Sequence, residues 1–331
     1  MRWAELGPCA PAGRCCGRAR GGLTLLHLAA AAGNAIAVRE LLSEDGHPDL
    51  DARAEIELPD LSVVAGATPL HYALGAADGS FDAAAALLEA RADPHAGWKE
   101  HMDPLHIVAA FGQSSQLREW LARFPDQEVD VRDTKFGYTP LLVSIATRSD
   151  TLDSVEVLQS RGADVRASDG ASGIDAAMQI ASASEFGNPD VVRRLLDGRC
   201  SPNAVAYPTW WRWRVIINSS RVAVGYSELR NRRPGPMMEH FASSYGATPL
   251  HNAARKGNLG LVRLLLEARA RSQPNLSGRT PLEEAARAFG GAPPQVLVDL
   301  LARGGSRRWG SASSSATAPP RSAPNRAEAP L

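Results

Sequence analysis

The chain has 331 residues with 36 basic and 36 acidic side chains, so its net charge of +0 points to neither an acidic nor a basic partner. No uninterrupted apolar run approaches the length of a membrane span, which excludes a spanning helix. No apolar stretch precedes Gly7-Pro8, so no secretory signal is expected.

The distribution of charge says more than its sum. Residues 1–22 hold four Arg and one Glu, residues 205–245 six Arg and two Glu, and residues 306–331 four Arg and one Glu. What lies between must therefore be acidic. Residues 1–22 have the composition of a segment that cannot bury a core and are expected to stay unfolded. They carry Cys9, Cys15 and Cys16; with Cys200 these make no C-x-x-C pair. Reduced thiols in an intracellular protein are expected, cytoplasmic with the nucleus as the alternative. Lipidation of the N-terminal cysteines beside the basic segment is the competing reading.

From Thr24 onward one phrase recurs. It stands as Thr24-Leu25-Leu26-His27, Thr68-Pro69-Leu70-His71, Asp103-Pro104-Leu105-His106 and Thr139-Pro140-Leu141-Leu142. It returns as Ser172-Gly173-Ile174-Asp175, Thr248-Pro249-Leu250-His251 and Thr280-Pro281-Leu282-Glu283. The spacings are 44, 35, 36, 33, 76 and 32 residues, so the first and fifth intervals hold insertions. In the clearest copy, Thr248 caps a helix, Pro249 takes the first helical position, and Leu250, Ala253 and Ala254 give a short apolar face. Gly257 ends that helix, and Leu261 to Leu266 supply a second one. Such a pair cannot bury its apolar surface alone and must stack on its neighbours.

This pattern resembles the ankyrin repeat, over roughly residues 23–304 apart from 205–245. The resemblance implies an all-α solenoid of about seven helix-turn-helix units joined by short β-hairpin loops. It implies that His27, His71, His106 and His251 hydrogen-bond between repeats. One per unit, they do not converge as a metal or acid–base set would. Arg91, Arg199 and Arg269 stand where a glycine usually follows the second helix, so strain or a shifted loop is expected there.

Residues 205–245 interrupt the repeats and hold three of the seven tryptophans. Trp211, Trp213, Val215 and Ile217 alternate with Arg212, Arg214 and Ile216. After Asn218-Ser219-Ser220, Val222, Val224 and Tyr226 alternate again, which reads as a β-hairpin with one apolar face. Trp and Arg together are the composition of interaction hot spots, which points to a partner protein. The alternatives are that Trp211 and Trp213 pack on the flank of the array, or that the segment stacks on single-stranded nucleic acid. The acidic repeats weigh against nucleic acid. The segment after Leu229, with Arg230, Arg232 and Arg233, reads as loop. Residues 306–331, with six Ser, six Ala and four Pro, are expected to stay unfolded.

No phosphate loop, dinucleotide fingerprint, H-E-x-x-H or G-x-S-x-G occurs. The expected organisation is a basic tail at 1–22, repeats one to five at 23–204, the insertion at 205–245, repeats six and seven at 246–305 and a second tail at 306–331. The expected role is a monomeric, non-catalytic scaffold or adaptor without cofactor, binding a protein partner on the concave face and loop tips. A regulatory or targeting subunit of an enzyme complex, such as a substrate receptor for a ligase or kinase, is the alternative. By the ankyrin resemblance the candidate contacts are Trp98, Lys99, Glu100, Lys135, Phe136, Tyr138, Arg255 and Lys256. The insertion adds Trp210, Trp211, Arg212 and Trp213.

Overall fold

The computed structural model describes residues 23–43, 48–54, 66–76, 80–97, 102–134, 136–147, 152–170, 172–173, 175–183, 187–230 and 245–305. Both tails, Trp98, Lys99, Glu100 and Lys135 lie outside them. Among the described residues the regular elements are helices. Seven pairs follow one another: α1 (Leu25–Ala31) with α2 (Ala35–Ser43), α3 (Pro69–Leu74) with α4 (Asp82–Glu89), and α5 (Pro104–Ala110) with α6 (Ser114–Arg123). Next come α7 (Pro140–Thr147) with α8 (Leu152–Ser160) and α9 (Ala176–Ala183) with α10 (Pro189–Asp197). After one inserted helix, α11 (Trp211–Leu229), the last pairs are α12 (Pro249–Lys256) with α13 (Leu259–Glu267) and α14 (Pro281–Ala288) with α15 (Gln295–Gly305).

The first helices stack in one layer, each on the next, from α1 to α9 and then α12 and α14. The second helices form the other layer, with α6 on α8, α8 on α10, α10 on α13 and α13 on α15. One apolar core runs between the layers from Leu23 to Leu301. Small residues set the close spacing: Ala30, Ala73, Ala109, Ala177, Ala253 and Ala254 are buried where first helices meet.

The motif histidines explain the repeat in atomic terms. The backbone N–H groups of Thr24, Thr68, Asp103 and Thr248 donate to Nδ1 of His27, His71, His106 and His251, at 3.1–3.2 Å. A ring that accepts at Nδ1 while neutral carries its proton at Nε2. That proton is donated into the next loop: His27 to Ala67 O at 3.2 Å, His106 to Tyr138 O at 3.1 Å and His251 to Arg279 O at 2.9 Å. Each such ring caps its own helix and ties it to the following unit. In the last unit Glu283 takes over the cap, accepting from Thr280 N at 2.7 Å. Among the described residues Glu283 keeps the capping half of the role.

Between units the chain reverses on short backbone ladders in place of full strands. Ala54 donates to Ala67 at 3.1 Å, Asp133 to Tyr138 at 3.0 Å and Asn275 to Arg279 at 2.8 Å. The fifth unit departs from the expected register. Its first helix begins at Ala176, and the carbonyl of Asp175 opens the helical ladder to Met178 and Gln179. Asp175, not Ser172, thus holds the cap position, 36 residues after Thr139. Ser172-Gly173 mimics Thr-Pro in sequence but belongs to the loop.

Arg91, Arg199 and Arg269 adopt φ of 71°, 65° and 65°, the left-handed conformation that Gly162 takes at φ 90° in the fourth unit. The loops have not shifted; arginine has been forced into a glycine geometry. Replacing any one by glycine is expected to stabilise the array by about 0.5–1 kcal/mol. The triple variant should unfold at a visibly higher temperature in a thermal melt, and an unchanged or lower midpoint would contradict this.

Candidate recognition surface

The functional candidate is built on three loop tips. Asp133 sets the first. Its carboxylate accepts from Phe136 N at 2.7 Å and Tyr138 N at 2.8 Å, curling the chain so that Gly137 reaches φ 73°. Asp169 sets the second, accepting from Gly173 N at 2.9 Å and from Ser172 N. The two tips are joined, since Gly170 N donates to Phe136 O at 2.7 Å. Arg132 adds a donation to Gly137 O at 3.1 Å. Burial, with Asp169 and Asp133 nearby, pushes the Tyr138 phenol up, so it stays neutral and apolar-packed at any ordinary pH.

The insertion leaves the array at a third tip. Ala206 N donates to Ala247 O and Gly246 N to Ala206 O, both at 2.8 Å. This rung closes its base, so α9 meets α12 directly and the stack continues past it. The outgoing chain then lies across the second tip. Tyr207 N donates to Ser172 O at 3.1 Å, and Thr209 N and Trp210 N to Gly170 O at 3.1 and 3.2 Å. Thr209 Oγ1 donates to Asp169 O at 2.8 Å.

Trp210 is the anchor. A Cβ added to Gly137 or to Gly170 would stand 2.8 Å from its ring, well inside contact distance. The indole therefore packs closely against two glycines from successive tips. Arg212 covers it from 5.6 Å and donates to Thr134 O at 3.0 Å. Trp213 stacks on Phe136 with ring centres 5.4 Å apart, and Phe136 stacks on Tyr138 at 5.2 Å. Arg214 covers Tyr207 at 5.7 Å and Arg221 covers Tyr245 at 4.3 Å.

The expected β-hairpin is replaced by a helix over Trp211–Leu229. The consequence for Trp211 and Trp213 is large. Two residues apart on a strand share a face; two residues apart on a helix at 3.6 per turn point almost oppositely. Trp213 faces the tips, and Ile217, Ser220 and Val224 are buried on the same side. Trp211 is 73% exposed, Val215 56% and Val222 75%, and these share the other face. Packing on the array, which the sequence offered for both tryptophans, holds for Trp213, while Trp211 is exposed.

The structure thus brings together Trp210, Arg212, Trp213, Phe136 and Tyr138, and carries Trp211 with them. Arg255 and Lys256 end α12, at the opposite end of a first helix from the tips, and join no part of this cluster. Gly137, Gly170, Thr209 and Tyr207 were missed by sequence reading. Only the tip glycines left a signal, each four residues or one residue after an aspartate at the start of a turn.

The comparisons agree with this architecture. A family model described as ankyrin repeats (3 copies) matches residues 9–97 and 229–304. The ankyrin repeat domain of Bcl-3, described as a unique member of the IkappaB protein family, aligns at 23% identity and TM-score 0.51, covering 86% of this chain and 100% of that one. The human ASB11 ankyrin repeat domain aligns at 18% identity and TM-score 0.53, covering 84% and 98%. No curated protein sequence is similar to it. The chain belongs to the ankyrin repeat family. Ankyrin repeats are generally protein–protein interaction modules, typically without catalysis. Among the described residues no helix is long and apolar enough to cross a membrane.

Proposed function

We propose that this chain is a non-catalytic adaptor that binds a partner protein, with the inserted α11 as the distinctive part of its recognition surface. The supporting observation is the division of labour within one tryptophan cluster. Trp210 and Trp213 fix the helix to the tips, and Trp211 is held outward on that fixed base. An exposed tryptophan on a rigid support loses little conformational entropy on binding, which is what a hot spot requires. The same docking occupies the tips of the fourth and fifth units, so Phe136 and Tyr138 serve the array internally. The inner face and the remaining tips complete the surface.

The test is affinity capture from native lysate with the full chain and with a chain whose residues 207–245 are replaced by a short linker between Ala206 and Gly246, each with and without nuclease. A protein retained by the full chain, lost with the replacement and indifferent to nuclease supports the reading. Recovery that vanishes with nuclease would replace it with nucleic-acid binding. Equal capture by both baits would move recognition to the repeat face. A regulatory subunit of an enzyme complex would use the same surface; co-purification of a ligase or kinase activity with the partner would distinguish it.

A further inference from the structure

The outward face of α11 has a composition that specifies what it takes. At 3.6 residues per turn, Trp211, Val215, Asn218 and Val222 fall in one line along the helix. Arg212 flanks that line on one side, and Arg214 and Arg221 flank it on the other. From Gly198 to Ser227 the sequence contains no Asp or Glu. The three guanidiniums lie over the rings of Trp210, Tyr207 and Tyr245, and among the described residues none of them pairs with a carboxylate. A helix apolar on both faces is ordinarily buried on both. Here one face is buried and the other is bare.

Building on the adaptor reading above, we propose that this face docks an acidic amphipathic segment of a partner protein. Apolar side chains at helical spacing seat along Trp211, Val215 and Val222, and flanking carboxylates meet the guanidiniums on either side. Arginine held over an aromatic ring keeps its outer N–H groups for a carboxylate, with little side-chain entropy left to lose. The stripe is one side chain wide, and beside it Asn218, Ser219, Val222 and Ala223 line a depression of about 550 Å³. A strip one side chain wide with guanidiniums on both sides suits the ridge of a peptide and not the plane of an anionic bilayer.

The experiment pans a displayed library of random 16-residue peptides against the full chain, then measures the enriched peptides by fluorescence anisotropy. Enriched peptides are expected to carry net negative charge with apolar residues three and four apart. Their affinity should fall tenfold or more with Trp211→Ala and again with Arg214→Glu, and weaken as salt is raised. Trp211 is outward, so its alanine variant keeps the native melting temperature and isolates binding from folding. Enrichment of neutral or basic peptides, or affinities indifferent to both substitutions, would overturn the proposal. A parallel arm uses phosphatidylserine–phosphatidylcholine vesicles. Vesicle binding abolished by the same two substitutions, with no peptide enriched, would assign the face to a membrane instead. Acidity of the partner fails on its own if neutral peptides bind at Trp211; the adaptor reading fails only if the capture experiment above also does.

Discussion

Acidifying this protein from pH 7 to pH 4 is expected to remove several kcal/mol of stability, and the motif histidines are the cause. Burial pulls the His71 ring down to about 4 from its ordinary 6.5, with the Arg53 charge adding to the effect. Burial likewise lowers His27, His106 and His251, against backbone bonds that act the other way. The unfolded chain therefore takes up protons that the folded chain refuses. Stability is complete above the unfolded value near 6.5 and is lost as the pH falls toward the folded value. For His71 the interval from 6.5 to about 4 corresponds to roughly 3 kcal/mol. The reason is structural: a second proton has to enter at Nδ1, where the Thr68 N–H already donates from 3.1 Å. The fourth unit supplies an internal control, since Leu142 fills the same position, buried. His71→Leu should cost about 1–2 kcal/mol at pH 7 through the lost cap. It should also flatten the pH dependence by about the His71 share. Urea midpoints at pH 7 and pH 4 for both chains measure this. An unchanged pH slope in the variant would contradict it.

The second large effect is expected at Trp120. It is fully buried, between the two layers of the third unit. Its indole N–H donates to Gln127 Oε1 at 2.6 Å, and Gln127 Nε2 donates to Asp103 Oδ1 at 2.8 Å. Asp103 in turn accepts from Leu105 N at 2.8 Å and so caps α5. One side chain on a second helix thus supports the start of a first helix through a chain of three groups. Trp120→Ala should destabilise the array by about 3–5 kcal/mol through the cavity it leaves. Trp120→Phe keeps most of the volume and drops only the N–H, for about 1–3 kcal/mol. In a solenoid each unit leans on its neighbours alone, so the loss should first appear as exchange of amide hydrogens in the third and adjoining units. Uniform loosening of all seven units would contradict this.

The paired helices were legible because Thr-Pro-Leu-His encodes local physics: a cap, a fixed φ, a buried leucine and a bridging ring. Its substitute Glu283 keeps the cap, accepting from Thr280 N. The fifth unit was misplaced by three residues because Ser172-Gly173 resembles a cap while Asp175 does the work, paired to Arg166 at 3.0 Å. The insertion was misread for a deeper reason. Alternating Trp, Arg, Val and Ile carry β-propensity, and that propensity is weak against tertiary context. What decides the helix is the seat prepared for Trp210 by Gly137 and Gly170, and for Trp213 by Phe136. Those partners lie 40 to 77 residues away in sequence, where no local pattern reaches.

On α11 Trp213 is turned inward, and Trp211 is turned outward, where we propose that it meets a partner. The most direct measurement places a photo-reactive amino acid at 211 in one chain and at 213 in another, then irradiates each in lysate. Partner crosslinks are expected from position 211, and an internal crosslink to the Phe136 loop from position 213. Partner crosslinks from 213, or the same internal crosslink from both, would contradict it.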